Sequence, residues 1–170
     1  AGTIDVATLP RDERWTYNQH GQLLSHDGPR TDVADVTTWA YHPVTTANAR
    51  EGDLAEVRNG LGQATRFLRW SPTGLLLSFS DANGVRTELA YDRRQRLANI
   101  LEAAGTPWAR QTVQVWDARG LLARTEQPSV MTGTAALPGG SAQGRITRYD
   151  HDRAHRLVGV FNASGQGESY

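Results

Sequence analysis

The 170-residue chain contains no cysteine, which excludes a disulfide framework, a thiolate metal site and a cysteine nucleophile. It also lacks net charge, with 18 Lys plus Arg against 18 Asp plus Glu. A general phosphate-backbone binder needs a basic surplus for counterion release, so the balance argues against nucleic acid as a partner. No apolar run approaches the roughly 18 residues of a membrane-spanning helix. The opening residues, AGTIDVATLPRDER, lack the regions of a signal peptide, and 1–14 is expected to be an N-terminal extension. No GxSxG elbow and no Gly-rich phosphate loop after a strand occurs.

What the chain does have is glycine, 17 residues, and five tryptophans, four of them in or near positions that recur. The stretch Phe67 to Leu97 shows the recurrence most plainly. Trp70 is followed by a turn closing on Gly74, an apolar run, a second turn closing on Gly84, and a new aromatic, Tyr91. Self-similarity at a period of roughly 20–50 residues marks repeat architectures. Elsewhere Trp15 and Tyr17 precede Gly21, Trp39 and Tyr41 repeat the two-residue spacing, and Trp116-Asp117 leads to Gly120. A leucine stands six residues after the aromatic at Leu23, Leu76, Leu97 and Leu122. In the last unit Leu157 is six after His151, so His151-Asp152 fills the aromatic-Asp place, with Tyr149 and Asp150 just before it.

Asp, Asn or Ser first and Gly fourth suit type I turns. Tyr91-Asp92-Arg93-Arg94-Gln95 has Gln in the glycine place, which suggests another turn type there. A second set of turns, Asn59 to Gly62, Asp81 to Gly84 and Asn162 to Gly165, alternates with the first. Two alternating families of turns predict an all-β fold of tandem antiparallel hairpins forming a curved repeat sheet over residues 15–170. Enlarged loops are expected near 42–51 and 127–145. An apolar residue follows the leucine at +3 in Leu76/Phe79, Leu97/Ile100 and Leu157/Val160. Period-2 alternation would split such a pair, so a β-bulge beside the turn is expected. Residues 88–104 alone would read as helix; the repeat register outweighs that. Trp70 and Tyr91 are expected to be neighbours across strands, and Tyr170 to open a further unit.

Chemistry is sparse. His151 and His155 flank Asp152, but four-residue spacing on a turning backbone lacks the helical geometry of HExxH sites. Asp32 and Asp35 read as solvated loop carboxylates, and Asn162-Ala163-Ser164 as the start of a turn rather than a glycosylation site. No catalytic residue, metal ligand or cofactor site is assigned, and an unrecognised hydrolase is the weakest reading because nucleophile, base and oxyanion donor cannot all be named. The aromatic row has two readings. Its rings pack across strands at ~0.2–1 kcal/mol per pair, or Trp15, Trp39, Trp70 and Trp116 stack on glycans or other ligands. The second reading would make the chain a carbohydrate- or surface-binding module.

The recurring pattern aromatic–Asp/Asn–x–x–Gly–x–Leu resembles the YD repeat of the RHS (rearrangement hotspot) family. YNQHGQL at Tyr17, YDRRQRL at Tyr91, WDARGLL at Trp116 and YDHDRAHRL at Tyr149 carry the resemblance, together with WTYNQHGQLLSHDGPRTDVADVTTWAY. The likeness extends over about residues 15–170. It implies a spiralling β-shell, with the remainder of that shell and an enclosed toxin cargo as partners. It also implies a bacterial protein delivered by secretion as part of a larger polypeptide, and otherwise cytoplasmic. Open edges of a repeat sheet invite pairing, so self-association through end strands is a further expectation.

Overall fold

In the computed structural model, residues 13–30, 32, 35–128 and 144–170 are described. The expected N-terminal extension and the loop near 127–145 lie largely outside them. Among the described residues thirteen strands run in chain order: β1 (Arg14–Tyr17), β2 (Leu23–Asp27), β3 (Thr37–Tyr41), β4 (Leu54–Arg58), β5 (Ala64–Trp70), β6 (Leu76–Ser80), β7 (Arg86–Tyr91), β8 (Leu97–Glu102), β9 (Arg110–Trp116), β10 (Leu122–Gln127), β11 (Arg145–His151), β12 (Leu157–Asn162) and β13 (Gly167–Ser169). They form one open antiparallel sheet in which every strand pairs only with its sequence neighbours. The helix-like composition of 88–104 is overridden: β7 and β8 occupy it, because their neighbours on both sides offer strand edges that a helix could not use.

The hairpins alternate between two designs. In β1–β2, β3–β4, β5–β6, β7–β8, β9–β10 and β11–β12 the register shifts next to the turn, so a bulge sits beside the aromatic or the leucine. The closing pairs are Tyr17 with Leu23, Tyr41 with Leu54, Trp70 with Leu76, Tyr91 with Leu97, Trp116 with Leu122 and His151 with Leu157. The extra residue explains the +3 spacing: Phe79 pairs with Phe67, Ile100 with Leu89 and Val160 with Tyr149, while each leucine still meets its own ring position.

Each turn is fastened by its first side chain. The Asp92 Oδ1 accepts the amides of Arg94 and Arg96 at 2.8 and 2.9 Å, and Asn18, Asn59, Asp81, Asp152 and Asn162 accept two amides in the same pattern. Ser71 does so through its hydroxyl. Asn162 is thereby engaged in its turn, as its sequence context suggested. The fourth residue takes a left-handed φ, +82° at Gly74 and +91° at Gly120. Gln95 adopts the same conformation at φ 62°, with its amide 2.9 Å from the Asp92 carbonyl, so this turn is not of another type. His155 does likewise at φ 65°. The Asx acceptor and the paired strands outweigh the cost of a side chain in this region, roughly 1–2 kcal/mol. Gln95→Gly is therefore expected to raise stability by roughly 0.5–1 kcal/mol in urea unfolding, less than the full strain because glycine also loosens the unfolded chain.

Paired residues share a face. One face carries Trp39, Val57, Phe67, Phe79, Leu89 and Ile100. The other carries Glu56 between Arg58 and Arg66, Arg86 with Glu88, and Arg124 with Glu126. Only Ala49 and Ala64 are fully buried apolar residues among those described. Among the described residues no second layer closes over the apolar face, and most of its side chains are half-buried between lateral neighbours.

The loop from His42 to Asp53 folds back onto the sheet. Its base closes through His42 N–H to the Asp53 carbonyl at 2.8 Å, and its Asn48 carbonyl accepts the Trp70 amide at 2.7 Å. Gln22, in the first turn, donates its side-chain N–H to the Gly52 carbonyl at 2.8 Å. The loop thus ties three successive bulged hairpins together at one rim.

Candidate functional site

The aromatic residues of successive bulged hairpins form a ladder. The Tyr41 hydroxyl donates to the Leu23 carbonyl at 2.9 Å, and the Trp70 indole N–H to the Leu54 carbonyl at 3.0 Å. The Tyr91 hydroxyl donates to the Leu76 carbonyl at 2.9 Å, and the Trp116 indole N–H to the Leu97 carbonyl at 2.8 Å. In each rung a ring reaches back to the leucine that closes the preceding hairpin. The bulge explains why that carbonyl is free to accept: the irregular register takes it out of the regular strand ladder. Burial pushes the Tyr91 hydroxyl up from its ordinary value, which keeps it a donor. Tyr and Trp suit the place because each combines an apolar body with one polar handle.

Trp70 and Tyr91 are not cross-strand neighbours, since β6 lies between their strands. The period of the sequence shows that two rings are equivalent, whereas adjacency depends on the strand between them. Trp70 is tilted against Phe67 at a centroid distance of 6.1 Å, and Arg96 lies 5.2 Å above the Trp116 ring. His151 closes its hairpin with Leu157, but among the described hydrogen bonds none links it to Leu122. At the first edge, Trp15 is 50% and Tyr17 59% exposed, and Trp15 stacks on His26 at 5.1 Å. Trp39 pairs with Val57. Of the rings considered for ligand stacking, Trp70 and Trp116 already have their N–H groups engaged. Trp108, outside the repeat register, is 73% exposed in the turn between β8 and β9. Only its lack of a repeat position marked it in the sequence.

The rim of the bulged turns carries most of the shifted carboxylates. The Arg96 guanidinium, 2.6 Å from Asp92, and backbone amides hold that carboxyl below its usual range. The Leu121 amide, helped by Arg119, does the same for Asp117, and the Arg156 amide and guanidinium for Asp152. A depressed folded pKa stabilises above the ordinary carboxylate value and is lost as pH falls through the folded one. Stability is therefore expected to hold above about pH 4 and to decline below it. Urea midpoints from pH 6 to pH 2 measure this, and the decline should shrink in Asp92→Asn/Asp117→Asn/Asp152→Asn. The turns are also linked to one another: Arg94 donates to the Ala118 carbonyl at 3.4 Å and Arg119 to the Asp152 carbonyl at 3.2 Å.

A shallow concavity of about 590 Å³ lies where Arg124 faces Arg148 across β10 and β11, bordered by Asp117, Asp150 and His151. Its lining includes no aliphatic hydroxyl or thiol to serve as a nucleophile. His155 stands in a turn and His151 in a strand, and no group of three or more metal-ligating side chains converges among the described residues. Among the described residues no helix is long and apolar enough to cross a membrane.

No family model matches the chain. It is 27% identical over 158 residues to the Toxin protein Tse5 of Pseudomonas aeruginosa, covering 85% of this chain and 12% of that protein. The crystal structure of TcdB2-TccC3 superposes with a TM-score of 0.53 at 17% identity, covering 91% of this chain and 10% of that one. These likenesses support an RHS/YD-repeat segment. The repeat register and the open all-antiparallel sheet are the features that carry this assignment. The RHS/YD-repeat segment spans about a tenth of the length of the proteins it resembles. Its candidate site is the aromatic ladder, distributed along the sheet.

Proposed function

We propose that this RHS/YD-repeat segment is a non-catalytic piece of wall, part of a larger shell that encloses a toxin cargo in a bacterial protein delivered by secretion. The observation that supports the reading is the ladder itself. Four rings, each spent on the carbonyl of the preceding hairpin, make the aromatic row a device for extending a sheet. A name containing "toxin" for the Tse5 relative supplies the cargo part of the reading. The test uses the full parent polypeptide under limited proteolysis. The region beyond the repeats should resist digestion while the repeats are intact. It should become sensitive when Trp70 and Trp116 are both replaced by alanine. Digestion of that region at the same rate in the unaltered protein would sink the enclosure reading.

A further inference from the structure

Every basic side chain apart from histidine is an arginine, for the chain contains no lysine. Their placement is uneven. The alternating sheet puts the bulged turns on one rim and the other turns on the opposite rim. Three successive bulged turns, 92–96, 117–121 and 152–156, carry six arginines against three aspartates. Four turns of the opposite rim, 59–63, 81–85, 103–109 and 162–166, hold no arginine. Each rim aspartate is already met: Arg96 lies 2.6 Å from Asp92, Arg119 2.9 Å from Asp117 and Arg156 2.7 Å from Asp152. Among the described ion pairs none engages Arg93, Arg94 or Arg153, and all three are exposed. Arg94 and Arg119 also reach sideways to the Ala118 and Asp152 carbonyls, so guanidinium groups bridge each turn to the next. A guanidinium has five donors, and these bonds leave most of them free.

The spacing of this row selects its counter-ion. Equivalent turns recur every two strands, at about 9.5 Å. A polyproline II segment has three residues per turn, so every third side chain returns to one face after about 9.3 Å. A β-strand sends every third residue to the opposite face. An α-helix needs two turns, about 10.8 Å, and outruns each step by roughly 1 Å. A nucleic-acid strand carries a charge every ~3.4 Å and would press surplus phosphates against Asp92, Asp117 and Asp152. One carboxylate per turn avoids them, and the arginine fork fits a carboxylate through two parallel hydrogen bonds. We propose that this rim is a docking surface for an acidic polyproline II segment of a partner protein, with Asp or Glu at every third position. The inference does not depend on the wall enclosing a cargo.

Fluorescence anisotropy at low salt tests this on the unaltered chain, with a labelled peptide of four Glu-Pro-Pro units as the probe. A peptide of the same composition with its glutamates side by side should bind roughly fivefold more weakly or worse, because it can serve only one turn at a time. Arg93→Ala/Arg94→Ala/Arg153→Ala should weaken binding of the regular peptide by roughly tenfold or more. Arg14, Arg110 and Arg145 begin β1, β9 and β11, at the opposite rim, and are exposed as well. Arg14→Ala/Arg110→Ala/Arg145→Ala removes the same charge there and should change binding by less than about twofold. Equal affinity for the two peptides, equal losses in the two triple variants, or no measurable binding by the unaltered chain would overturn the proposal. So would tighter binding to a single-stranded oligonucleotide or an anionic lipid vesicle than to the regular peptide.

Discussion

Trp116→Ala is expected to lower the unfolding free energy by about 2–4 kcal/mol, near the lower part of the range for large-to-small aromatic substitutions because the ring is only half-buried. Three contributions disappear together. The ring leaves its closing pair with Leu122, the Arg96 guanidinium loses the face it covers, and the Leu97 carbonyl loses its 2.8 Å donor. Trp116→Phe separates them, since it keeps an apolar ring and removes the N–H; a loss of about 0.5–1.5 kcal/mol is expected. Urea unfolding of the three proteins gives the comparison. In a sheet whose strands touch only sequence neighbours, faster amide exchange should be confined to β7 through β10, leaving β1 to β4 as before. Equal losses for the alanine and phenylalanine variants would show that the hydrogen bond, and not the ring, carries the rung.

Gly167→Ala is expected to unpair the last strand. A Cβ at this position overlaps the Val160 carbonyl oxygen and lies 2.7 Å from the Phe161 Cα, both backbone atoms that cannot turn aside. Overpacking costs typically about 1–3 kcal/mol even where side chains can yield, and β13 has only three residues to hold it. Gly159→Ala provides the contrast. Its Cβ meets the far edge of the Phe161 ring at 2.5 Å, which can rotate, so a smaller effect is expected. The NMR amide signals of Glu168 and Ser169 distinguish the two: collapse to unfolded positions in Gly167→Ala, and modest shifts in Gly159→Ala. A Gly167→Ala protein with unchanged β12–β13 pairing would refute this account.

The hairpin plan was legible because turn chemistry and aromatic spacing repeat together. The +3 spacing of Leu76 and Phe79 signalled a bulge, since one register cannot place both on one face without an extra residue. The destination of each ring was not legible. Spacing along the chain identifies Leu97 as the residue that closes a hairpin with Tyr91, but nothing in it says that the Tyr91 hydroxyl belongs to Leu76. That bond crosses between hairpins and depends on the bulge freeing a carbonyl. Gln95 misled in the opposite way: its side chain suggests a different turn, yet Asp92 and the two flanking strands impose the common one. Trp108 carried no signal beyond its failure to repeat.

Adjacent-only pairing has a consequence for how the protein comes into being. Every contact between strands joins segments close in sequence, so the entropy of loop closure is small at each step and folding should be fast for an all-β chain. A hairpin can form as soon as its two strands have emerged from a ribosome, before the rest of the chain exists. Its leucine carbonyl then waits for the ring that follows. Growth in this manner runs in one direction, from the amino end onward, with Tyr41, Trp70, Tyr91 and Trp116 in turn locking the hairpin completed before each.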